Sequence, residues 1–296
     1  MDAKSPSLKL NNGVVMPQLG LGVFQSPPDQ TLTAVEAALR GGYRLIDTAA
    51  AYMNEEQVGE AIRRSGLKRS DVFVTTKLWI SDYGYNRALH GFERSLRKLG
   101  LDYVDLYLLH QPVPTEFDDT VAAYRAAEKL LADKRVRAIG VSNFSAKHID
   151  NLMKTATVMP AVNQVELHPF FAQRELRAEH AKRGIVTQAW SPIGGINRYR
   201  PNAQTEDPFS HPTIRALAEK YRKTPAQVML RWHIENGVSP IPKSVKPERI
   251  AENIDVFDFK LTRDEVASID ALDKGVRSGP DPETLSLKTF DKRIPD

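Results

Sequence analysis

Four side chains in this chain are of the types that together could deliver a proton to a carbonyl oxygen: Asp47, Tyr52, Lys77 and His110. A free phenol has a pKa of about 10 and donates poorly at neutral pH. A neighbouring ammonium stabilises phenolate and lowers that value. The ammonium in turn needs an anion beside it to remain charged in a partly dry site, and a carboxylate serves. A histidine at hydrogen-bond distance could orient the carbonyl that receives the proton. Each residue also has a plainer reading. A lone Lys at a strand end is usually a solvated charge, and a lone His after an apolar run is usually structural.

Their spacing decides whether they can meet. Asp47 closes the apolar run Tyr43–Asp47, and Tyr52 follows on the small-residue loop Thr48-Ala49-Ala50-Ala51. Lys77 closes Val72–Lys77, and His110 closes Tyr103–His110. Eight such runs read as strands: Leu19–Gly22, Tyr43–Asp47, Val72–Lys77, Tyr103–His110, Val136–Ser142, Ala161–Glu166, Ile185–Trp190 and Val238–Ile241. Between them, 3.6-residue periodicity predicts helices over Thr31–Arg40, Glu55–Arg64, Arg87–Leu99, Thr120–Ala132, Glu175–Lys182 and Ile214–Arg222. Asp29 is the expected N-cap of the first, and Thr224-Pro225 starts another. Short apolar strands alternating with helices call for a parallel sheet with helices outside.

Eight units without a linker or composition break favour a single (β/α)8 TIM barrel domain over residues 1–296. A doubly wound sheet is the rival, but Gly20-Leu21-Gly22-Val23-Phe24-Gln25 lacks the third glycine of a dinucleotide-binding turn. Leu8–Met16, two apolar runs around Asn12-Gly13, reads as a hairpin that would cap the N-terminal end of the barrel. Arg263–Ala271 reads as an extra C-terminal helix, followed by the short polar tail Gly279–Asp296. In such a barrel the strand C-termini carry the chemistry. Consecutive strand ends then deliver Asp, Lys and His to one mouth.

Composition narrows the classes further. The absence of Cys excludes a disulfide scaffold, a thiol nucleophile and a thiolate metal site. The seven His are scattered, so no metal site is expected. The net charge of +4 comes from Lys and Arg interleaved with acids, which fits a small anionic ligand and gives no nucleic-acid stripe. The N-terminus Met1-Asp2-Ala3-Lys4-Ser5-Pro6 has no apolar signal core, and no segment approaches the roughly 20 apolar residues of a membrane span. A cytoplasmic protein with no membrane partner is the expectation.

The motifs around these residues closely resemble those of the aldo-keto reductases. They are Asp47–Glu55 with Val58-Gly59, Leu99–Tyr107 leading to His110, Ile139–Phe144, Asn163–Pro169, and Ile241–Ser244 with Arg249 and Glu252-Asn253. They run in order from about Leu8 to Leu272 and are most similar to the bacterial branch that includes 2,5-diketo-D-gluconic acid reductases. The resemblance implies that Tyr52 is the general acid, that Lys77 and Asp47 tune it, and that His110 orients the carbonyl. It implies NADPH extended across the mouth. Gly22, Val23 and Asp47 would lie along it; Ser142, Asn143 and Gln164 would meet the carboxamide, and Trp190 would stack on the nicotinamide. Ser191, Pro192, Ile193 and Gly194 would approach the pyrophosphate, with Ile241, Lys243, Ser244, Val245 and Arg249 around the 2'-phosphate and Glu252 and Asn253 by the adenine. A monomer is the family's usual state.

By the same resemblance Phe24, Trp79, His110 and Gln111 line the substrate pocket. Many relatives have Trp at the positions of Phe24 and Gln111, so a more polar pocket accepting small aldehydes, dicarbonyls and keto sugars is expected, closed only loosely by the tail. Two other functions compete. An NADP(H)-holding sensor of the same fold would not need the complete tetrad, and a barrel hydrolase would need two carboxylates flanking a cleft. If Arg249 reads the 2'-phosphate, Arg249→Ala loses about tenfold in NADPH affinity, the loss of one charged hydrogen bond. NADH affinity stays unchanged. Titration with both cofactors checks this, and an unaltered preference removes Arg249 as the discriminator.

Overall fold

The computed structural model describes residues 5–194, 207–288 and 290–295. The first four residues and tail positions 289 and 296, which belong to the termini discussed above, lie outside the described residues. A two-stranded antiparallel sheet comes first, β1 (Ser7–Lys9) against β2 (Val15–Pro17), with Leu8 opposite Met16. Eight parallel strands follow: β3 (Leu21–Gly22), β4 (Leu45–Asp47), β5 (Phe73–Leu78), β6 (Val104–Leu109), β7 (Val136–Ser142), β8 (Val162–Glu166), β9 (Val186–Trp190) and β10 (Ser239–Pro240). Each pairs with the next in sequence. The sheet closes on itself, because Gly20 N and Gly22 N donate to Pro240 O (3.2 Å) and Pro242 O (3.1 Å), and Gly22 forms a parallel bridge with Lys243.

Outside lie α1 (Pro28–Arg40), α2 (Glu55–Arg64), α3 (Tyr85–Leu99), α4 (Phe117–Ala132), α5 (Ala146–Leu152), α6 (Arg174–Arg183), α7 (Pro212–Tyr221), α8 (Pro225–Glu235), α9 (Pro247–Ile254) and α10 (Arg263–Asp270). The barrel, its N-terminal hairpin and its extra helices are those expected. Among the described residues no helix is long and apolar enough to cross a membrane. Thr224 caps α8 through a reciprocal pair with Gln227, as its position before Pro225 implies. Asp29 is not a cap. Pro27 occupies that position and Pro28 begins α1, so Asp29 falls in the first turn, where its charge favours the helix dipole.

Strand periodicity sets the barrel interior. Leu45, Phe73, Leu106, Leu108, Ala138, Val162 and Ile241 pack together inside, joined by Leu10 and Met16 of the hairpin, which closes the N-terminal end. Their neighbours Ile46, Val74, Tyr107, Leu109, Ile139 and Val141 face the helices. Because side chains alternate along a strand, the inward series continues to Asp47, Lys77, His110, Ser142, Gln164 and Trp190. The registers agree: Lys77 pairs with Leu108, Leu108 with Gly140, Ser142 with Gln164 and Gln164 with Gln188.

Helix packing is tight where the chain has little bulk. A Cβ on Gly59 of α2 would lie 1.9 Å from the carbonyl oxygen of Leu99 at the end of α3. That neighbour is backbone and cannot rotate away. Gly59→Ala therefore destabilises the protein by about 3 kcal/mol, the upper part of the overpacking range. Denaturant unfolding checks it, and a loss under about 0.5 kcal/mol, the size of a surface change, would contradict the packing.

Candidate active site

Asp47, Lys77 and His110 converge at the barrel mouth because three neighbouring strands end there in register. Lys77 is fully buried, and its Nζ lies 2.6 Å from Asp47 Oδ2. It also donates to Thr48 O at 3.0 Å and to Tyr52 Oη at 3.3 Å. Burial lowers the Lys77 pKa, while the charge and hydrogen bond of Asp47 oppose that shift. Asp47 Oδ1 accepts from Gln164 Nε2 at 2.8 Å, so both carboxylate oxygens are used. Gln164 lies within β8, two residues before its end, in agreement with the apolar run Ala161–Glu166. The strand runs on to Glu166.

The Tyr52 loop is held at both ends by a residue whose contribution the pattern does not reveal. Asn54 is fully buried; its Oδ1 accepts from Thr48 Oγ1 at 2.8 Å and its Nδ2 donates to Val23 O at 2.9 Å. Asn54 thereby ties the loop after β4 to the loop after β3. Met53, at φ 60°, makes the turn between the phenol and that anchor. Phe24 from the β3 loop then stands 5.0 Å from the Tyr52 ring, centroid to centroid. Asn54 falls inside the Asp47–Glu55 motif, but its anchoring role is signalled only by a side-chain amide immediately before a helix start.

His110 is buried, 5.6 Å from the Tyr52 ring and 5.1 Å from that of Trp79. Its pKa lies well below the usual 6.5, first because burial disfavours the imidazolium and then because Lys77 is cationic. The ring is therefore neutral, and its Nδ1 has no hydrogen-bond partner among the described residues. Its backbone oxygen accepts from Asn143 Nδ2 at 3.1 Å. Gln111 is fixed by Tyr83, whose hydroxyl donates to Gln111 O at 2.6 Å and accepts from Gln111 N at 3.1 Å.

Beside this group runs a polar ledge. Ser142 Oγ donates to Gln164 O at 2.7 Å, and Asn143, at φ 65°, accepts from Trp190 Nε1 at 2.8 Å through its side-chain oxygen. The half-buried Trp190 indole is thus oriented at its N–H. Ser191 and Gly194 have left-handed backbone (φ 49° and 74°) and close a turn through Gly194 N to Ser191 O, while Pro192 O accepts from His233 Nε2. Ile193 packs between two apolar clusters. Gly22 must be small, since a Cβ there would lie 2.9 Å from Ile241. Val23 is buried and donates its N–H to Asp47 O.

Further round the mouth, the link from β10 to α9 carries Lys243, Ser244 and Val245, and the first turn of α9 carries the exposed Arg249. A helix start with two cations nearby suits an anion. Glu252 Oε1 accepts from Thr224 Oγ1 at 2.7 Å and secures α8, while Asn253 is buried. The tail also departs from the loose closure expected. Trp79 Nε1 donates to Lys292 O at 2.9 Å, Phe290 stands 5.8 Å from the Trp79 ring, and Lys292 Nζ reaches Ala51 O. Trp79 is consequently covered, with Phe24 the more open of the two aromatics. Among the described residues no cluster of three His, Asp or Glu could hold a metal.

Comparison with known proteins fits this geometry. The model of the aldo/keto reductase family matches residues 17–274. Morphine 6-dehydrogenase of Pseudomonas putida is 54% identical over 98% of this chain and 99% of its own. Methylglyoxal reductase DkgA of Escherichia coli K12 is 47% identical over 93% and 96% respectively. The crystal structure of a Bombyx mori aldo-keto reductase in complex with NADP superposes with a TM-score of 0.88 at 39% identity, covering 95% of this chain and 96% of that one.

A neutral buried His gains a proton only on unfolding, so its folded-state pKa lies below its unfolded one. Stability then falls as pH drops through about 6.5, because the unfolded chain binds more protons. His180, at about 4, and His233, at about 3, act in the same direction as His110. Replacing His110 with Asn should flatten the acid limb by up to about 1.4 kcal/mol per pH unit below pH ~6. Denaturant midpoints from pH 7 to 5 check this, and identical slopes for the two proteins would mean that His110 is protonated in the fold.

Proposed function

The chain belongs to the aldo/keto reductase family, and on that premise we propose that it reduces aldehyde and ketone carbonyls with NADPH. The observation that carries this is the buried Lys77 with Asp47 on one side and the Tyr52 hydroxyl on the other. A cation so placed has one chemical use for the phenol, to stabilise the charge left when its proton goes.

The residues around the mouth suit the cofactor. The half-buried Trp190 offers an aromatic face, and Ser142, Asn143 and Gln164 are fixed beside it. Lys243, Ser244 and Arg249 at the start of α9 suit a phosphate. When bound, NADPH supplies a hydride to the carbonyl carbon. Tyr52 gives its proton to the oxygen that becomes the hydroxyl. Lys77 supports the resulting phenolate, and Asp47 keeps Lys77 charged and aimed. Neutral His110 donates a hydrogen bond to the same oxygen and fixes the carbonyl's angle. Phe24, Trp79 and Gln111 shape the pocket around it, and tail residue Phe290 adds to that wall.

Small aldehydes, dicarbonyls and keto sugars are the proposed substrates, a class that the name of the Escherichia coli relative supports. The name of the Pseudomonas putida relative, a dehydrogenase, favours a second direction, oxidation of an alcohol. The same four residues serve it, since a phenolate beside Lys77 can take back the proton.

Tyr52→Phe separates turnover from binding. The variant should lose about 10²- to 10⁴-fold in methylglyoxal reduction, the usual worth of a placed general acid. It should still bind NADPH, read as quenching of tryptophan fluorescence. Reduction within about twofold of wild type would exclude Tyr52 as the acid. No turnover by wild type across a broad carbonyl and alcohol panel would remove the enzymatic reading altogether.

A further inference from the structure

Glu166 is a carboxylate with no solvent exposure at the C-terminal end of β8, two residues beyond Gln164 on the same inner face. The tetrad does not use it. Its partners come mostly from the tail. Oε1 accepts from Ser278 N at 2.8 Å, from Ser278 Oγ at 2.6 Å and lies 3.2 Å from His168 Nε2. Oε2 accepts from Gly279 N at 2.9 Å, with Arg277 Nη1 at 3.6 Å. Burial pulls the carboxyl pKa up, but the bonds from His168, Ser278 and Gly279 outweigh it and hold the value below the usual range. A buried charge met by so many short donors, from residues more than a hundred positions away, fastens that segment.

What it fastens is aimed at Trp190. A Cβ on Gly279 would lie 2.6 Å from Trp190 Cη2 and 3.0 Å from Glu166 Oε2, so the tail backbone rests against the benzo edge of the indole. At the opposite edge, Nε1 donates to Asn143. Upstream, Lys274 N bonds Phe170 O, and the Lys274 and Arg277 side chains lie over the Phe170 and Phe171 rings. The segment 274–279 is therefore anchored along its length before it reaches Trp190.

We propose that Glu166 is a positioning residue for the cofactor, holding tail residues 277–279 as a stop that sets the plane of the Trp190 indole. This rests on the reading that Trp190 stacks against the nicotinamide. Glu166 touches neither carbonyl nor hydride. Its effect passes through Gly279 to the ring, so it appears in cofactor affinity and leaves the chemical step alone. The segment roofing Trp79, Phe290 to Lys292, lies further along the tail and answers to the carbonyl pocket instead.

Three variants test this in the full chain, with NADPH as the probe and both turnover and fluorescence as readouts. Gly279→Ala adds a methyl group that must displace the indole edge. Glu166→Gln keeps the shape and removes the charge. Each should raise the Kd and KM for NADPH about tenfold, or ~1.4 kcal/mol, with kcat at saturating NADPH nearly unchanged, the signature of lost uniform binding. The KM for methylglyoxal should not move. Trp190→Ala should lose the quenching on NADPH binding. If that loss occurs while Gly279→Ala and Glu166→Gln both bind NADPH as wild type does, the stop has no role and the proposal fails. If Trp190→Ala binds and quenches like wild type, the stacking reading itself fails and takes the proposal with it. Should Glu166→Gln not fold, Gly279→Ala, a change on the tail, carries the test alone.

Discussion

A lysine ammonium with no solvent exposure is the constraint around which this barrel mouth is built. Removing a charge from water costs several kcal/mol even in a relaxed protein interior. Only a partner at contact distance offsets it, and Asp47 at 2.6 Å is that partner. The pairing demands that β4 and β5 stop at a fixed register, with Asp47 opposite Thr75 and Lys77 one inward position further. A slip of one residue would turn either side chain towards the helices. The second carboxylate oxygen is taken by Gln164, which in turn donates to Gln188 across the next strand. The pair is thus braced from the far side of the barrel, and among the described residues Lys77 Nζ turns its remaining hydrogen bond to the Tyr52 hydroxyl.

The barrel interior changes character along its axis, and this makes one end a core and the other a site. Inward positions near the strand starts are apolar and are sealed by Leu10 and Met16. Two or four residues later the same faces carry Asp47, Lys77, His110, Ser142 and Gln164. Most groups of this polar layer are paired within the protein, and among the described residues the buried His110 Nδ1 is one atom without a hydrogen-bond partner. A neutral imidazole there is consistent with the proposed role of His110, since an imidazolium next to Lys77 would repel that cation and weaken its support for a phenolate.

Much of this was legible in the amino-acid sequence. Eight apolar runs marked the strands because parallel barrel strands are buried on both faces, and polar residues at their ends stood out against that background. The fold and the convergence of Asp47, Lys77 and His110 followed. What escaped was carried by contacts that local pattern does not encode. Glu166 and Ser278 meet across 112 positions, and nothing near either residue signals the other. Asn54 looks like an ordinary residue before a helix, yet it bonds back to Val23 across 31 positions. Glu252, expected beside the adenine, also bonds Thr224 across 28 positions, a contact that local pattern does not announce. The tail, read as polar and loose, is fixed in part by backbone groups such as the Lys292 carbonyl, whose role depends on no side-chain identity.

The dependence of kcat/KM on pH in Lys77→Met, set against wild type, bears most directly on the proposed proton transfer. Methionine keeps the length of the side chain and removes the charge beside Tyr52. If the ammonium sets the acidity of the phenol, carbonyl reduction at neutral pH falls by about 10²-fold or more, while NADPH still binds and quenches fluorescence. A variant that reduces carbonyls at the wild-type rate with the same pH profile would show that the phenol needs no cation, and that the buried Lys77 is structural.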